Sequence, residues 1–261
     1  MNYVRLMAAF LRVSVLGELA YRINFFVQLF QSVVELATAL LGLAVIFSHT
    51  DTLGGWRPDD VLALVGVFFL VGGMIGLVIQ PGMGKLIDSV RDGSLDFTLT
   101  KPEDAQLLVS IQRVEIWKLI DIALGFGVLA TALVRLGERV GTSEAISFGI
   151  VLFAGAVIIY SFWLILATLS FWFVRVENIL VIFQSVYEAG RWPISLYPGW
   201  LRFGLTFIIP VAFVTTVPAE ALTGRLTVET LLGALALAVL MFIASRVVWR
   251  IGLRRYSGAS A

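Results

Sequence analysis

VLALVGVFFLVGGMIGLVI, residues Val61–Ile79, holds no charge and shows no period-two alternation. A membrane-barrel strand would alternate apolar and polar residues, so this run reads as a helix. Its length is close to the ~20 apolar residues an α-helix needs to cross the hydrocarbon core. The uncharged stretch continues to Gly84, ends at Lys85 and is followed by RDGSLDFTLTKP, Arg91–Pro102.

The rest of the chain agrees with a lipid solvent. Of 261 residues, 59% are hydrophobic and 14% charged, against roughly 45–50% and about 25% in soluble domains. A water-soluble fold of this size could not hide so much apolar side chain. A net charge of +1 gives no field to attract nucleic acid. With no cysteine and one histidine, His49, disulfide frameworks, thiolate chemistry and the usual zinc sites are excluded.

Six stretches have the length and composition of spans: about 24–48, 61–80, 115–134, 146–172, 200–217 and 229–249. The opening MNYVRLMAAFLRVSVLGELAYR, about 1–22, spreads Arg5, Arg12, Glu18 and Arg22 at intervals. That spacing fits an amphipathic helix in the membrane interface better than a secretion signal. With the N-terminus placed in the cytoplasm, Arg57, Arg135, Arg139 and Arg225 face outward and the rest of the 19 basic residues face inward. The positive-inside rule therefore puts both termini in the cytoplasm. NILVIFQSVY, Asn178–Tyr187, is too short to span and reads as an interfacial or partly embedded helix on the inner side. The expected class is an all-α integral membrane protein of six spans in one domain.

Polar residues within the spans are candidate functional groups. Gln28, Gln31, Glu35 and Thr38 recur at helical spacing on one face of the first span. Such a face either lines a substrate pathway or glues two helices together. Glu115, Lys118 and Asp121 follow at three-residue steps and read as a self-neutralising start to the third span. Gly72 and Gly76 share a face and signal close packing, as do Ala234 and Ala238.

The fifth span, in RWPISLYPGWLRFGLTFIIPVAFVTTVP, is rich in proline. Pro198 starts it well, Pro210 should kink it and Pro218 should end it. Pro210 and Pro218 are therefore candidate gating positions, followed by AEALTGRLT as a short outer turn or a helix dipping back toward the membrane.

Catalytic signatures are missing. QPGMGKL lacks the first glycine and the Ser/Thr of a phosphate-binding loop, so ATP is not bound in that way. Neither G-x-S-x-G nor H-E-x-x-H occurs. His49 sits at a span end and reads as a surface residue.

The charged interruption lies in the inner connection between spans two and three, about 81–113. LIDSVRDG fits a short helix after a span ended at Pro81-Gly82, with Gly93 as terminator. SLDFTLTKP is expected to be extended, with Pro102 forcing Lys101 out of helix. Apolar Leu86, Ile87, Val90, Leu95, Phe97 and Leu99 beside charges suit docking into a groove on another protein.

This stretch resembles the cytoplasmic loop of ABC-2-type export permeases, in a branch related to daunorubicin-resistance membrane subunits. Its pattern there is close to I-x-x-G-x-L-D-x-x-L-x-x-P. Ile87, Gly93, Leu95, Asp96, Leu99 and Pro102 stand where that pattern places them, with Ile87 spaced less tightly. Pro193, Tyr197-Pro198, Pro210, Pro218 and Gly224 are similar to the branch's proline-rich segment. The resemblance implies a multi-pass subunit of the bacterial inner membrane that pairs with a second, identical or homologous, permease. It also implies two separate cytoplasmic ABC ATPase subunits, which would hold the ATP and Mg. Ile87, Asp88, Arg91, Gly93, Leu95, Asp96, Phe97, Leu99 and Pro102 would form the ATPase-coupling loop. The alternative is an ion-coupled secondary carrier, for which Glu35 is the acid near mid-depth. An embedded enzyme is disfavoured by the missing catalytic groups.

Overall fold

A computed structural model describes residues 22–137, 140–173 and 177–256, with residues 12 and 15–17 as isolated pieces. The interfacial helix expected over about 1–22 lies almost wholly outside the described residues, as do Arg139 and Arg175. The described chain is helical, with one isolated bridge between Leu53 and Trp56.

In chain order, α1 is Arg22–Phe47 and α2 is Pro58–Met74. A π-helical turn, Ile75–Ile79, leads into α3, Gln80–Arg91. The short α4 is Asp96–Leu99, and α5 is Ala105–Ile111. A 3-10 turn, Ile116–Lys118, opens α6, Leu119–Leu136. Then follow α7, Thr142–Thr168, and α8, Glu177–Tyr187. The proline-rich region gives α9, Gly199–Phe203, a π-helical turn Gly204–Ile208, α10, Val211–Val214, and α11, Thr216–Leu222. The last helix, α12, is Val228–Leu253. Among the described residues, five helices are long and apolar enough to cross a membrane, or six if one bent pair is a single span.

Three of the long helices begin with the same local chemistry. Asp60 accepts the Arg57 amide at 3.0 Å, Glu144 accepts the Gly141 amide at 2.9 Å, and Thr227 accepts the Thr230 amide at 3.2 Å. Each satisfies a helix-start N–H that has no partner inside the helix. Pro58 at the first position and acids in the first turn favour the same starts.

α2 and α6 pack antiparallel along their length. A Cβ on Gly66 would lie 2.8 Å from the Leu129 amide nitrogen, and one on Gly73 would lie 2.8 Å from that of Ile122. Between them, Gly125 presses on the Leu70 backbone. Three glycines thus let two helices meet backbone to backbone, which is how helices associate where lipid removes the hydrophobic drive. The pair expected at Gly72 and Gly76 does something else: Gly72 faces the Tyr187 ring and Gly76 faces Lys118. In the other half of the bundle, α12 lies on α7, with Ala234 and Ala238 packed against Val151, Ala154 and Ile158.

Span two does not end at Pro81-Gly82. The helix runs on from Pro58 to Arg91 as one 34-residue unit, roughly 50 Å at ~1.5 Å per residue. That exceeds the ~30 Å hydrocarbon core, so about 20 Å of it extends beyond. Pro81 has no N–H for the Leu77 carbonyl, and the Glu115 amide takes that acceptor at 2.9 Å. The π-helical turn just before it absorbs the misfit.

The proline-rich segment also departs from expectation. Its two limbs, Gly199–Ile208 and Val211–Leu222, bend by 66° at Ile209-Pro210. Leu196, ahead of the first limb, packs against Gly54; Arg225, after the second, donates to the Gly55 carbonyl and pairs with Asp60 at 3.2 Å. Both ends of the segment therefore meet the same loop, so it leaves and re-enters one end of the bundle instead of crossing as a kinked span over 200–217. Pro218 does not end a helix: it is the third residue of α11, where its missing N–H has no intrahelical use.

The chain gains that height through α8 instead. Phe171, at the end of α7, meets Trp249 and Tyr256 near the end of α12. From that end α8 rises along α2: the Tyr187 hydroxyl donates to the Phe68 carbonyl at 2.9 Å, and its ring stacks on Phe68. The turns Glu188–Arg191 and Ile194–Leu196 carry the chain on to Gly54. The segment 178–187 is thus embedded in the bundle, with Leu180, Phe183 and Tyr187 buried while Val181 and Ile182 are exposed.

Candidate functional site

A polar groove runs between α1, α6 and the turn after α8. On α1 the stripe turned inward is buried Ser32 and Ala39 with half-buried Gln28 and Glu35, so the polar face expected from sequence divides. Gln28 and Glu35 turn towards neighbouring elements. Gln31 is exposed at the groove rim, and Thr38 folds its hydroxyl back onto the Val34 carbonyl at 2.7 Å. Ser32 was missed because a serine alone in an apolar helix gives no charge signal.

Asp121 is the hub of the lower part of the groove. It accepts from the Ser32 hydroxyl, from Gln28 Nε2 at 3.4 Å and from Lys118 Nζ at 3.1 Å. The Lys118–Asp121 pair is the one expected from spacing; Glu115 instead lies 3.8 Å from Arg113. Beside this hub a cavity of about 290 Å³ opens between Asn24, Gln28, Gln31, Arg113, Glu115 and Trp117.

Higher in the groove, Arg191 binds two carboxylates at once, Glu35 and Glu188, each at 2.6 Å. Its guanidinium also lies over the Phe68 ring, 5.1 Å from the centroid. Glu35 is 13 residues into α1, about 20 Å along the helix axis, and hence near mid-depth. A charge there needs a partner, and the partner comes from 156 residues away in sequence. A cavity of about 50 Å³ joins this cluster to Lys118 and Asp121. The Glu35 and Glu188 side chains remain 41% and 47% exposed.

The connection after α3 turns at Gly93, whose φ of +72° suits glycine. SLDFTLTKP is not extended. Leu95 plugs the core at 0% exposure, its amide bonds the Ser89 carbonyl at 3.1 Å, and α4 coils directly behind it. Leu86 and Ile87 are buried, and Val90 and Leu99 pack on the core, so these are not docking knobs. Phe97 is the exception, standing out at 76% exposure. Around it, Arg91 pairs with Asp88 at 3.2 Å and Asp92 at 3.5 Å, and Asp96 starts α4. Pro102 is exposed just beyond the end of α4.

Asp104 fastens the far side of this connection. It accepts the Leu107 amide at 3.2 Å, starting α5, and binds Arg246 of α12 through both oxygens at 2.8 and 3.2 Å. The Arg246 hydrogen bond, the largest influence, holds the Asp104 carboxyl below its ordinary range, and the Leu107 amide adds to it. Sequence reading passed over this pair because its members are 142 residues apart. Among the described residues, no group of three or more His, Cys, Asp or Glu is placed to hold a metal ion.

Residues 33–260 match the family of ABC-2 family transporter proteins. The chain belongs to that family. The match covers the groove from Glu35 onward, the whole connection after α3 and the re-entrant pair, so this ABC-2 chain is a membrane transport component. Searches of curated proteins and of solved structures give no significant match.

Proposed function

We propose that this ABC-2 chain is the permease subunit of an ATP-binding-cassette exporter in a bacterial inner membrane. It pairs with a second permease, identical or homologous, and is driven by two separate cytoplasmic ATPase subunits, which bind the ATP and Mg. The connection 81–113 and both termini face the cytoplasm. In support, Lys85, Arg91, Lys101, Arg113, Arg250 and Arg254 lie at this end, whereas Arg57, Arg135, Arg202 and Arg225 lie at the opposite one, where Arg135 is 3.8 Å from Asp59 and Arg225 3.2 Å from Asp60.

The observation that carries the reading is Phe97. It is a large aromatic exposed among paired charges, on a turn pinned from behind by Leu95 and held at the end of a helix that outreaches the membrane. An aromatic anchor with a charged rim suits a groove on a partner protein. Closure of the ATPase pair around ATP pushes this turn. The push enters α3, which is continuous with α2, and reaches α6 through the glycine contacts.

The polar groove lines the pathway on the face that the second permease covers. Half-exposed carboxylates at mid-depth are costly against lipid and need protein or water opposite them. The ion-coupled carrier reading needs a buried acid that titrates; the 41% exposure of Glu35 and its 2.6 Å contact with Arg191 favour an ion pair that ties α1 to the turn after α8.

Phe97→Ala and Phe97→Asp are expected to abolish co-purification of a co-expressed ABC ATPase while the permease stays in the membrane at normal yield. Undiminished recovery of the ATPase would refute the docking role. Leu95→Ala should behave differently and lower the folded yield, because truncating a buried leucine costs about 2–5 kcal/mol.

A further inference from the structure

We infer that Arg246 is a positioning residue that carries movement of the Phe97 turn into the α7–α12 half of the bundle. The inference rests on the coupling role proposed for that turn. The α2–α6 half needs no extra link, since α3 continues directly into α2. The α7–α12 half has no such continuity with the turn: α3 packs sideways on α7, and the polar tie from the connection to α12 runs through α5.

Helix α5 is held on two sides. On one side, Arg246 of α12 grips Asp104 through both carboxylate oxygens and donates to Gln106 Oε1 at 2.8 Å. On the other, the Tyr160 hydroxyl of α7 accepts from Gln106 Nε2 at 3.2 Å and pairs with Ser110 Oγ at 2.8 Å. Gln106 and Ser110 are buried, so these bonds are shielded from competing water. α5 in turn presses on α3, where a Cβ on Gly82 would lie 2.7 Å from the Ser110 carbonyl oxygen. A shift of α3 therefore drags α5, and the bidentate arginine converts that into a pull on α12. Removing the guanidinium should leave the ATPase seated and hydrolysing, yet stop the α7–α12 half from following.

The chain has no native cysteine, so single probes can be placed freely. Asp51→Cys reports on the outer end of the α1–α2 half, and Glu229→Cys reports on the outer end of α12. Each would carry a spin label in the reconstituted permease–ATPase assembly, with spectra compared without nucleotide and after trapping with ATP and vanadate. In Arg246→Ala, the nucleotide-driven change at position 229 is expected to be lost, while the change at 51 and ATP hydrolysis persist. Arg246→Lys, which keeps the charge and most of the reach and leaves Asp104 to start α5, should restore part of the change at 229. The inference is overturned if that change survives in Arg246→Ala, if both probes fall silent together, if hydrolysis is lost, or if Arg246→Lys restores nothing. Failure of the wild-type permease to hold the ATPase would instead strike at the proposed function.

Discussion

Arg191 shows how much one side chain can decide. Its guanidinium neutralises Glu35 and Glu188 together and rests on Phe68, so three elements depend on it at mid-depth. Removing the shared cation leaves two half-exposed carboxylates facing each other at mid-depth without a counter-charge. Arg191→Met strands two carboxylates and should lower the thermal unfolding midpoint of the detergent-purified protein sharply. Glu35→Gln leaves the Arg191–Glu188 pair intact and an amide in hydrogen-bonding reach, so a loss of only about 1 kcal/mol is expected. Equal losses in the two variants would contradict this arrangement. Glu35 was legible in the sequence as an acid on an apolar helix; its arginine was not, because no local pattern ties residue 35 to residue 191.

At the scale of elements, the α2–α6 contact depends on the absence of side chains. A methyl group at Gly125 meets the Leu70 backbone, which cannot move aside without parting the helices. Gly125→Ala should therefore destabilise by about 1–3 kcal/mol. Gly127→Ala, two residues on with open space around it, should be neutral or stabilise by up to about 1 kcal/mol. Thermal unfolding of the two variants side by side tests the register. Similar reasoning explains the misplaced end of span two. Pro81 usually stops a helix, but here a partner from residue 115 satisfies the carbonyl it frees, and the helix continues to Arg91. The sequence contains the proline without the compensation, and compensation is a property of the packed pair.

For the whole molecule, the two faces presented outward differ in chemistry. The groove holds Gln31, Gln184 and the carboxylates, whereas the exposed side of α12 is apolar along Leu232, Val239, Phe242 and Ile243. Lipid suits the second face and not the first. A charged thiol reagent applied to membranes should modify Gln31→Cys and Gln184→Cys and leave Val239→Cys untouched. Modification of Val239→Cys alone would show that the groove is sealed and does not line a wet pathway. Pro210 acts at this scale too. It sets the 66° bend that returns the chain to the Gly54–Gly55 loop, making that end of the bundle a re-entrant layer where a kinked fifth span was expected.

Composition and run length by themselves determined that this protein is helical and lives in lipid, since both depend only on how many apolar residues stand in a row. They also marked out the charged turn after α3, because the four charges of Arg91–Pro102 amid apolar spans are visible without any fold. Only the tertiary structure decided which apolar faces are inside. Phe68 is buried and Phe30 exposed, yet in a membrane the two are equally at home, so hydrophobicity cannot tell protein contact from lipid contact. It likewise decided that Leu95 is a plug and Phe97 a knob, that α8 is embedded, and that Asp104 meets Arg246. Each of these is a contact between residues or elements that the spacing of neighbours along the chain does not encode.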